Sequence, residues 1–125
     1  MAGTPHVILL VEDEPDLREV IEETLVDEGC LVVCAADGAK ALDWLSGGQK
    51  PSLVLLDLVM PRMNGWTFLE RMRADPAFAD VPVVVISALA VTHPSVAATL
   101  RKPFELAALI DTVRRFVRSP SIVRT

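Results

Sequence analysis

The alternation of short apolar runs with amphipathic segments constrains the fold of this chain more than any other feature. Runs rich in Val, Ile and Leu lie at residues 6–11, 31–35, 53–56 and 81–87. Strands that are buried on both faces of a sheet have this continuous apolar character, because helices cover them from either side. These runs therefore predict four buried strands.

Helical patterns separate the apolar runs. In the first of them, apolar residues recur every three or four positions from Leu17 to Leu25, with Pro15 in the first turn and Gly29 just past the end. The other predicted helices cover residues 37–45, 64–73 and about 105–118. Strands that alternate with helices predict an α/β fold with a doubly wound parallel sheet and helices on both faces.

The connection that leads to the last predicted strand is unusually short. If residues 97–101 form a fifth strand, only residues 88–96 remain for the crossover after Ser87. A strand–helix–strand connection needs ~10–12 residues, and this one also contains Pro94. We therefore expect the helix at this place, which would be the fourth in the chain, to be short or missing.

The composition is that of a mildly acidic globular protein, with 51% hydrophobic residues and a formal net charge of -5. No apolar run approaches the ~20 residues that span a bilayer, and acidic residues directly follow the first run, so neither a membrane span nor a signal peptide is expected. Cys30 and Cys34 form no CxxC pair, which favours a reduced, cytoplasmic chain. We expect one domain over residues 1–125, with a core at about 5–118 and a tail at 119–125.

Acidic side chains follow two of the predicted strands at the point where each strand ends. Glu12 and Asp13 follow the first strand, and Asp57 ends the third. Ligands of doubly wound sheets bind at the carboxyl ends of the strands. If the two strands are neighbours, three carboxylates converge, and their repulsion raises at least one pKa. Mg²⁺ would relieve this repulsion, because it takes oxygen ligands and partners phosphate oxygens.

A hydroxyl and an ammonium group are expected at the same edge of the sheet. Ser87 ends the fourth strand, and Lys102 follows the fifth. Lysine supplies a compact positive charge for a phosphoryl oxygen, and the serine hydroxyl can donate a hydrogen bond to another. Each residue alone has an ordinary structural explanation, such as a helix cap for Asp57 or a solvated charge for Lys102. A phosphate site is favoured because all of these residues occur together, each at the end of a predicted strand.

Four segments together resemble the receiver domain of two-component response regulators. They are VEDE at 11–14, LLDLVMPRMNG at 55–65, VISA at 85–88 and LRKPF at 100–104. The resemblance covers essentially the whole chain and implies a flavodoxin-like sheet of five strands in the order 2-1-3-4-5. It also implies that Asp57 accepts a phosphoryl group from a phosphohistidine, so that the protein is a phosphoacceptor signalling domain and not an enzyme.

The resemblance further implies a role for each residue around the acceptor. The implied magnesium ligands are Asp13, Asp57, Glu12 through a water and the backbone carbonyl of Val59. The implied contacts of the phosphoryl oxygens are Lys102, Ser87 and the backbone amide of Ala88. Ser87 would also act in a switch, but Thr99 stands where receivers commonly carry Tyr or Phe. With no tyrosine in the chain, a switch is expected to act through reordering of residues 88–96.

Val59 and Leu89 bear on the lifetime of an aspartyl phosphate. In receivers these positions flank the hydrolytic water, and both residues here are apolar. We therefore expect slow autodephosphorylation. A small phosphatase of the aspartyl-phosphate type would need a second aspartate where Val59 stands, which disfavours that enzymatic alternative.

The implied partners are a sensor histidine kinase or a histidine phosphotransfer protein, followed by an unknown downstream protein. Neither nucleic acid nor a membrane is expected as a partner, and a monomer is expected. The leading interpretation is a stand-alone receiver, because only SPSIVRT follows the last predicted helix. A receiver that forms part of a hybrid kinase or of a regulator with an output domain stays open. A pseudo-receiver that binds a partner without phosphate also stays open.

Overall fold

A five-stranded, all-parallel sheet in the order β2-β1-β3-β4-β5 forms the centre of the protein. The structure, a computed structural model, describes residues 6–60 and 63–117. The strands are β1 (Val7–Val11), β2 (Leu31–Ala35), β3 (Leu53–Asp57), β4 (Val83–Ser87) and β5 (Ala98–Arg101). This arrangement confirms the predicted α/β fold and its strand order.

Helices cover both faces of the sheet. They are α1 (Pro15–Asp27), α2 (Gly38–Ser46), α3 (Gly65–Arg73) and α4 (Leu106–Phe116), and one 3₁₀ turn spans Pro76–Phe78. The start of α1 follows from its sequence, since the Glu14 carboxylate accepts hydrogen bonds from the first-turn amides and Pro15 begins the helix. Among the described residues, none of the helices has the length and apolarity that crossing a membrane requires.

Successive residues of each strand contribute to two separate cores, one on each face of the sheet. Ile8 and Leu10 of β1 pack in a cluster with residues of α1 and α4. Leu9 and Val11 pack in the other cluster, with residues of α2 and α3. All four side chains are fully buried, which explains why the strand lacks the apolar–polar alternation of a sheet with one wet face.

The segment between β4 and β5 contains no helix within the described residues, as the short interval predicts. Its polypeptide lies over the sheet on the face of α2 and α3, where Val91 and Val96 pack against the core. The amide of Ala97 donates to the carbonyl of Val83, which starts the return into β5. We call residues 88–97 the crossover segment.

Several predicted boundaries are wrong by one or two residues. The strand predicted over 81–87 begins at Val83, because Pro82 has no amide hydrogen for a sheet ladder. The helix predicted over about 105–118 begins at Leu106 and ends at Phe116. The tail predicted at 119–125 lies outside the described residues.

Candidate functional site

Three carboxylates meet where β1 and β3 end. The two strands are paired in parallel, with Val11 opposite Leu56, so that the residues following them leave the sheet side by side. One carboxylate oxygen from each of Glu12, Asp13 and Asp57 lies within 4.8 Å of the others. The tertiary structure therefore brings together the three acidic residues singled out in the sequence.

Glu12 shows the electrostatic cost of this arrangement. Its side chain is fully buried, and its Oε2 accepts a hydrogen bond of 3.1 Å from the amide of Glu14. Burial above all, and also the charge of Asp57, raise the pKa of Glu12 to about 7 against the opposing effects of the Glu14 hydrogen bond and of Lys102. A raised pKa is the expected result of several carboxylates sharing one buried site.

The second oxygen of Glu12 is a buried polar atom without a hydrogen-bond donor among the described residues. The Lys102 Nζ lies 3.6 Å away, which is close enough for charge attraction but long for a hydrogen bond. A divalent cation fits this site, since it would attract the orphaned oxygen and offset the repulsion among three carboxylates. Hard oxygen ligands are those that Mg²⁺ prefers, and no nitrogen or sulfur ligand belongs to the cluster.

Asp57 lies at the bottom of the site and is 5% exposed. Its Oδ1 accepts a hydrogen bond of 3.1 Å from the amide of Val59, and its Oδ2 lies 3.5 Å from the Lys102 Nζ. The carboxylate is thus held from two sides, while the Val59 side chain projects outward with 82% of its surface exposed. Metal coordination by the Val59 carbonyl stays a prediction.

Lys102 reaches the site from the far edge of the sheet. Its backbone amide donates to the carbonyl of Ser87 at 2.7 Å, which ties the end of β5 to the end of β4. From there the side chain extends across β4 to Glu12 and Asp57, and 32% of it is exposed. Its ammonium group is therefore oriented over the carboxylates and is still accessible to a ligand.

Ser87 lies beside Asp57, because the preceding residue, Ile86, pairs with Asp57 in the sheet. The Ser87 Oγ accepts a hydrogen bond of 3.0 Å from the amide of Leu89, which leaves its hydroxyl hydrogen available to an incoming oxygen. The carbonyl of the exposed Ala88 accepts from Arg101 at 3.4 Å. A contact between the Ala88 amide and a phosphoryl oxygen stays a prediction.

Thr99 connects β5 to the crossover segment. It pairs with Val85 in the sheet, and its hydroxyl donates a hydrogen bond of 3.0 Å to the carbonyl of Val91. A half-buried threonine thus anchors the crossover at the position where receivers commonly carry Tyr or Phe. Its part in a switch stays a prediction.

An apolar cleft of about 430 Å³ adjoins the site. Val59 and Leu89 flank it with exposed fractions of 82% and 72%, and Ser87 lies on its border. Among the described residues, those that line this cleft include no ionisable side chain. None of these lining residues can therefore act as a general base toward water.

Sequence reasoning missed two arginines, Arg18 beside the site and Arg73 at the opposite end of the sheet, where β4 and β5 begin. The Nη1 atom of Arg18 donates to the backbone carbonyl of Glu12 at 2.9 Å. The guanidinium of Arg73 donates to the carbonyls of Phe78, Ala79 and Ser95. Both arginines bind backbone carbonyls of another segment. Because every residue has such a carbonyl, neither the residue type nor the spacing in the sequence could predict these contacts.

Three clustered carboxylates, an accessible ammonium and a hydroxyl lie together at the carboxyl edge of a parallel sheet, and these groups are chemically suited to a hard cation and a phosphoryl group. The chain belongs to the family described as response regulator receiver domain, whose sequence model matches residues 8–114.

Known relatives agree with this assignment. The response regulator Rre1 of Synechocystis sp. is 36% identical over 121 residues, which cover 90% of this chain and 52% of that protein. The chemotaxis protein CheY4 of Vibrio cholerae has a TM-score of 0.81 and 26% identity, with coverage of 91% of this chain and 100% of that one. The chain spans about half the length of several curated relatives that it matches.

One solved neighbour bears on the metal. The receiver domain of the sensor histidine kinase PA1611 from Pseudomonas aeruginosa PAO1 has a TM-score of 0.82 and 29% identity, with coverage of 90% of this chain and 98% of that one. That structure contains a magnesium ion coordinated in the active site cleft. The acidic cluster of this chain offers carboxylate oxygens, which are the ligands that Mg²⁺ prefers.

Proposed function

We propose that this chain is a phosphoacceptor receiver that takes a phosphoryl group onto Asp57 from a sensor histidine kinase or a histidine phosphotransfer protein. One observation carries the proposal. The buried Asp57 carboxylate lies next to two other acidic groups and 3.5 Å from an accessible lysine ammonium. A nucleophile, a cation site and a counter-charge for phosphate are thereby combined at one point.

In the proposed transfer, a carboxylate oxygen of Asp57 forms the bond to phosphorus as the bond between phosphorus and the donor nitrogen breaks. The bonding electron pair stays with the imidazole nitrogen. Lys102 and the Ser87 hydroxyl hold phosphoryl oxygens, joined by the amide of Ala88. Phosphoryl transfer needs mainly this kind of positioning and charge neutralisation, and little covalent chemistry from the protein.

The proposed magnesium ligands are the carboxylates of Asp13 and Asp57, with Glu12 acting through water and the Val59 carbonyl completing the protein's share. The orphaned Glu12 oxygen and the mutual proximity of the three carboxylates support this assignment. When bound, Mg²⁺ supplies positive charge that offsets the negative charge on the transferring group. Glu12 must be ionised to contribute, although burial alone favours its protonated form.

Incubation of the purified protein with Mg²⁺ and acetyl phosphate, followed by intact mass measurement, tests the proposal. The expected result is one added phosphate on the wild type and none on Asp57→Asn. Asp43→Asn is the matched control, because Asp43 is exposed on α2 and should not affect labelling. A wild type that stays unlabelled would favour the phosphate-independent pseudo-receiver. Release of free phosphate with rapid turnover would favour a phosphatase.

We further propose that phosphorylation alters a protein-binding surface through the crossover segment. Two hydrogen bonds hold its first half, one from the Leu89 amide to Ser87 and one from Thr99 to Val91. Capture of the Ser87 hydroxyl by a phosphoryl oxygen changes the first of them directly. Backbone NMR with and without beryllofluoride tests this. Shift changes across 88–101 are expected, and their absence would refute the switch.

A downstream protein partner of unknown identity, a cytoplasmic location and a monomeric state belong to the same proposal. A receiver that acts by itself and a receiver within a hybrid kinase or a longer regulator share this fold. Phosphotransfer from a panel of purified sensor kinases tests the partner, with the fastest donor expected to be the cognate one. Light scattering with and without beryllofluoride tests the monomer.

A further inference from the structure

Arg18 lies in the second turn of α1 and reaches back to the end of β1. Its Nη1 donates a hydrogen bond of 2.9 Å to the backbone carbonyl of Glu12, and the residue is half-buried. This carbonyl belongs to the first residue after the strand, where the regular ladder of β1 ends. Arg18 therefore satisfies a backbone acceptor that the sheet itself does not bind at this place.

The hydrogen bonds around Glu12 fix almost every polar group of that residue. Its amide donates to the carbonyl of Ala35 at 3.0 Å, and its Oε2 accepts from the amide of Glu14 at 3.1 Å. Arg18 binds the remaining backbone group, the carbonyl. Because that carbonyl shares a planar peptide unit with the amide of Asp13, fixing it also fixes the plane from which the Asp13 Cα extends, and so narrows the directions that the Asp13 side chain can take.

Arg18 lies close to the acidic cluster but does not bind its carboxylates. Lys102 places its ammonium against the carboxylate oxygens of Glu12 and Asp57. The hydrogen bond of Arg18 instead goes to a main-chain oxygen and not to those carboxylates, and so leaves them open to a cation. Groups that hold metal ligands from outside the coordination sphere commonly contribute about 10-fold or more to metal affinity.

We infer that Arg18 is a positioning residue of the magnesium site, which holds the Glu12–Asp13 peptide so that the Asp13 carboxylate is oriented before the ion binds. The inference rests on the proposed function, because it assumes that the acidic cluster binds Mg²⁺. It assigns to α1 a part in building the site, in addition to its packing against the sheet.

Isothermal titration with magnesium chloride compares the wild type with Arg18→Met, which keeps much of the side-chain stem and removes the donor. We expect the dissociation constant for Mg²⁺ to rise about 10-fold. Arg18→Lys keeps the charge and one donor group but loses the planar guanidinium, so its affinity should lie between the two. Arg71→Met is the matched control, because Arg71 is exposed on α3, and it should bind as the wild type does.

Amide exchange of residues 12–14 in EDTA supplies a readout that is independent of the metal. Faster exchange in Arg18→Met is expected, since the Glu12 carbonyl loses the hydrogen bond that it accepts from Arg18. If Arg18→Met does not fold, Arg18→Gln takes its place in both measurements. A dissociation constant within about two-fold of wild type would overturn the inference alone. Wild-type affinity for Mg²⁺ in Arg18→Lys would also overturn it, because a positive charge without the planar guanidinium would then suffice. A wild type that binds no Mg²⁺ would overturn the proposed function and this inference together.

Discussion

Glu12 is the residue at which burial and charge are most strongly opposed. It has no exposed surface, it neighbours Asp57, and its pKa is raised from 4.5 to about 7. Natural proteins retain such conflicts at functional sites, where a ligand resolves them. In this chain the resolving ligand is the proposed cation, so the same residue that weakens the metal-free fold strengthens metal binding.

The sign of the pH dependence follows from that raised pKa. Between pH 4.5 and 7 the folded protein holds a proton on Glu12 that the unfolded chain has released, so stability in EDTA falls as pH rises. Between pH 6 and 8 we expect this residue to contribute a loss of about 1 kcal/mol in the free energy of unfolding. Urea unfolding of wild type and Glu12→Gln at both pH values measures it. An equal pH dependence in the two proteins would contradict the prediction.

At the same scale, Val59 and Leu89 bear on the proposed lifetime of an aspartyl phosphate. Both are apolar and exposed in the cleft that adjoins Asp57, so neither offers a group that could orient a hydrolytic water. We expect the phosphoprotein to lose its label slowly, over minutes or longer, and Leu89→Glu to speed hydrolysis at least about ten-fold, since a positioned general base contributes ~10²–10⁴. Val26→Asn, at an exposed valine on α1, is the control. Loss of label from the wild type within seconds would contradict the prediction.

At the scale of elements, the crossover segment replaces a helix by a set of specific contacts. Arg73 of α3 donates to the carbonyl of Ser95, and the same guanidinium binds the carbonyls of Phe78 and Ala79. The ring of His93 lies 5.1 Å from that of Trp66, which adds an aromatic contact between the crossover and α3. A segment without its own helical hydrogen bonds must be held by its neighbours in this way.

Arg73→Met is expected to lower the free energy of unfolding by about 2 kcal/mol, because hydrogen bonds from a charged donor to several carbonyls are lost. Urea unfolding measures this loss. Arg71→Met, at an exposed position two residues earlier on the same helix, should change stability by no more than about 0.5 kcal/mol. Equal effects of the two substitutions would show that Arg73 does not anchor the crossover.

At the scale of the whole molecule, the parallel sheet makes the site and the fold depend on each other. Residues that follow β1, β3, β4 and β5 all contribute to one edge, although they are far apart along the chain. A cation at that edge therefore binds the folded chain and not the unfolded one. Ligand binding of this kind raises the stability of the entire domain.

We expect Mg²⁺ at ten times its dissociation constant to add about 1.4 kcal/mol to the free energy of unfolding, which corresponds to a rise of about 5 °C in Tm. Thermal unfolding in MgCl₂ and in EDTA measures the difference. Asp13→Asn should abolish most of it, whereas Asp43→Asn on the exposed face of α2 should leave it unchanged. A wild-type Tm that is the same in MgCl₂ and in EDTA would contradict the prediction.

Local patterns were sufficient to predict much of this structure. Continuous apolar runs predicted the buried strands, Pro15 and Gly29 marked the limits of α1, and the short interval after Ser87 predicted the missing helix. These predictions succeed because strand burial, helix capping and connection length depend on neighbouring residues. The 3₁₀ turn at Pro76–Phe78 was missed, because a short turn has no periodicity to detect.

The sequence by itself determined which chemical groups end the strands, since a charged residue after a buried run has a defined place in any parallel sheet. Only the tertiary structure decided how those groups interact. The pairing of β1 with β3 places Asp57 near Glu12, and burial at that junction raises the pKa of Glu12. The contacts of Arg18 and Arg73 were likewise decided in three dimensions, because a guanidinium can reach many backbone carbonyls and only packing selects among them.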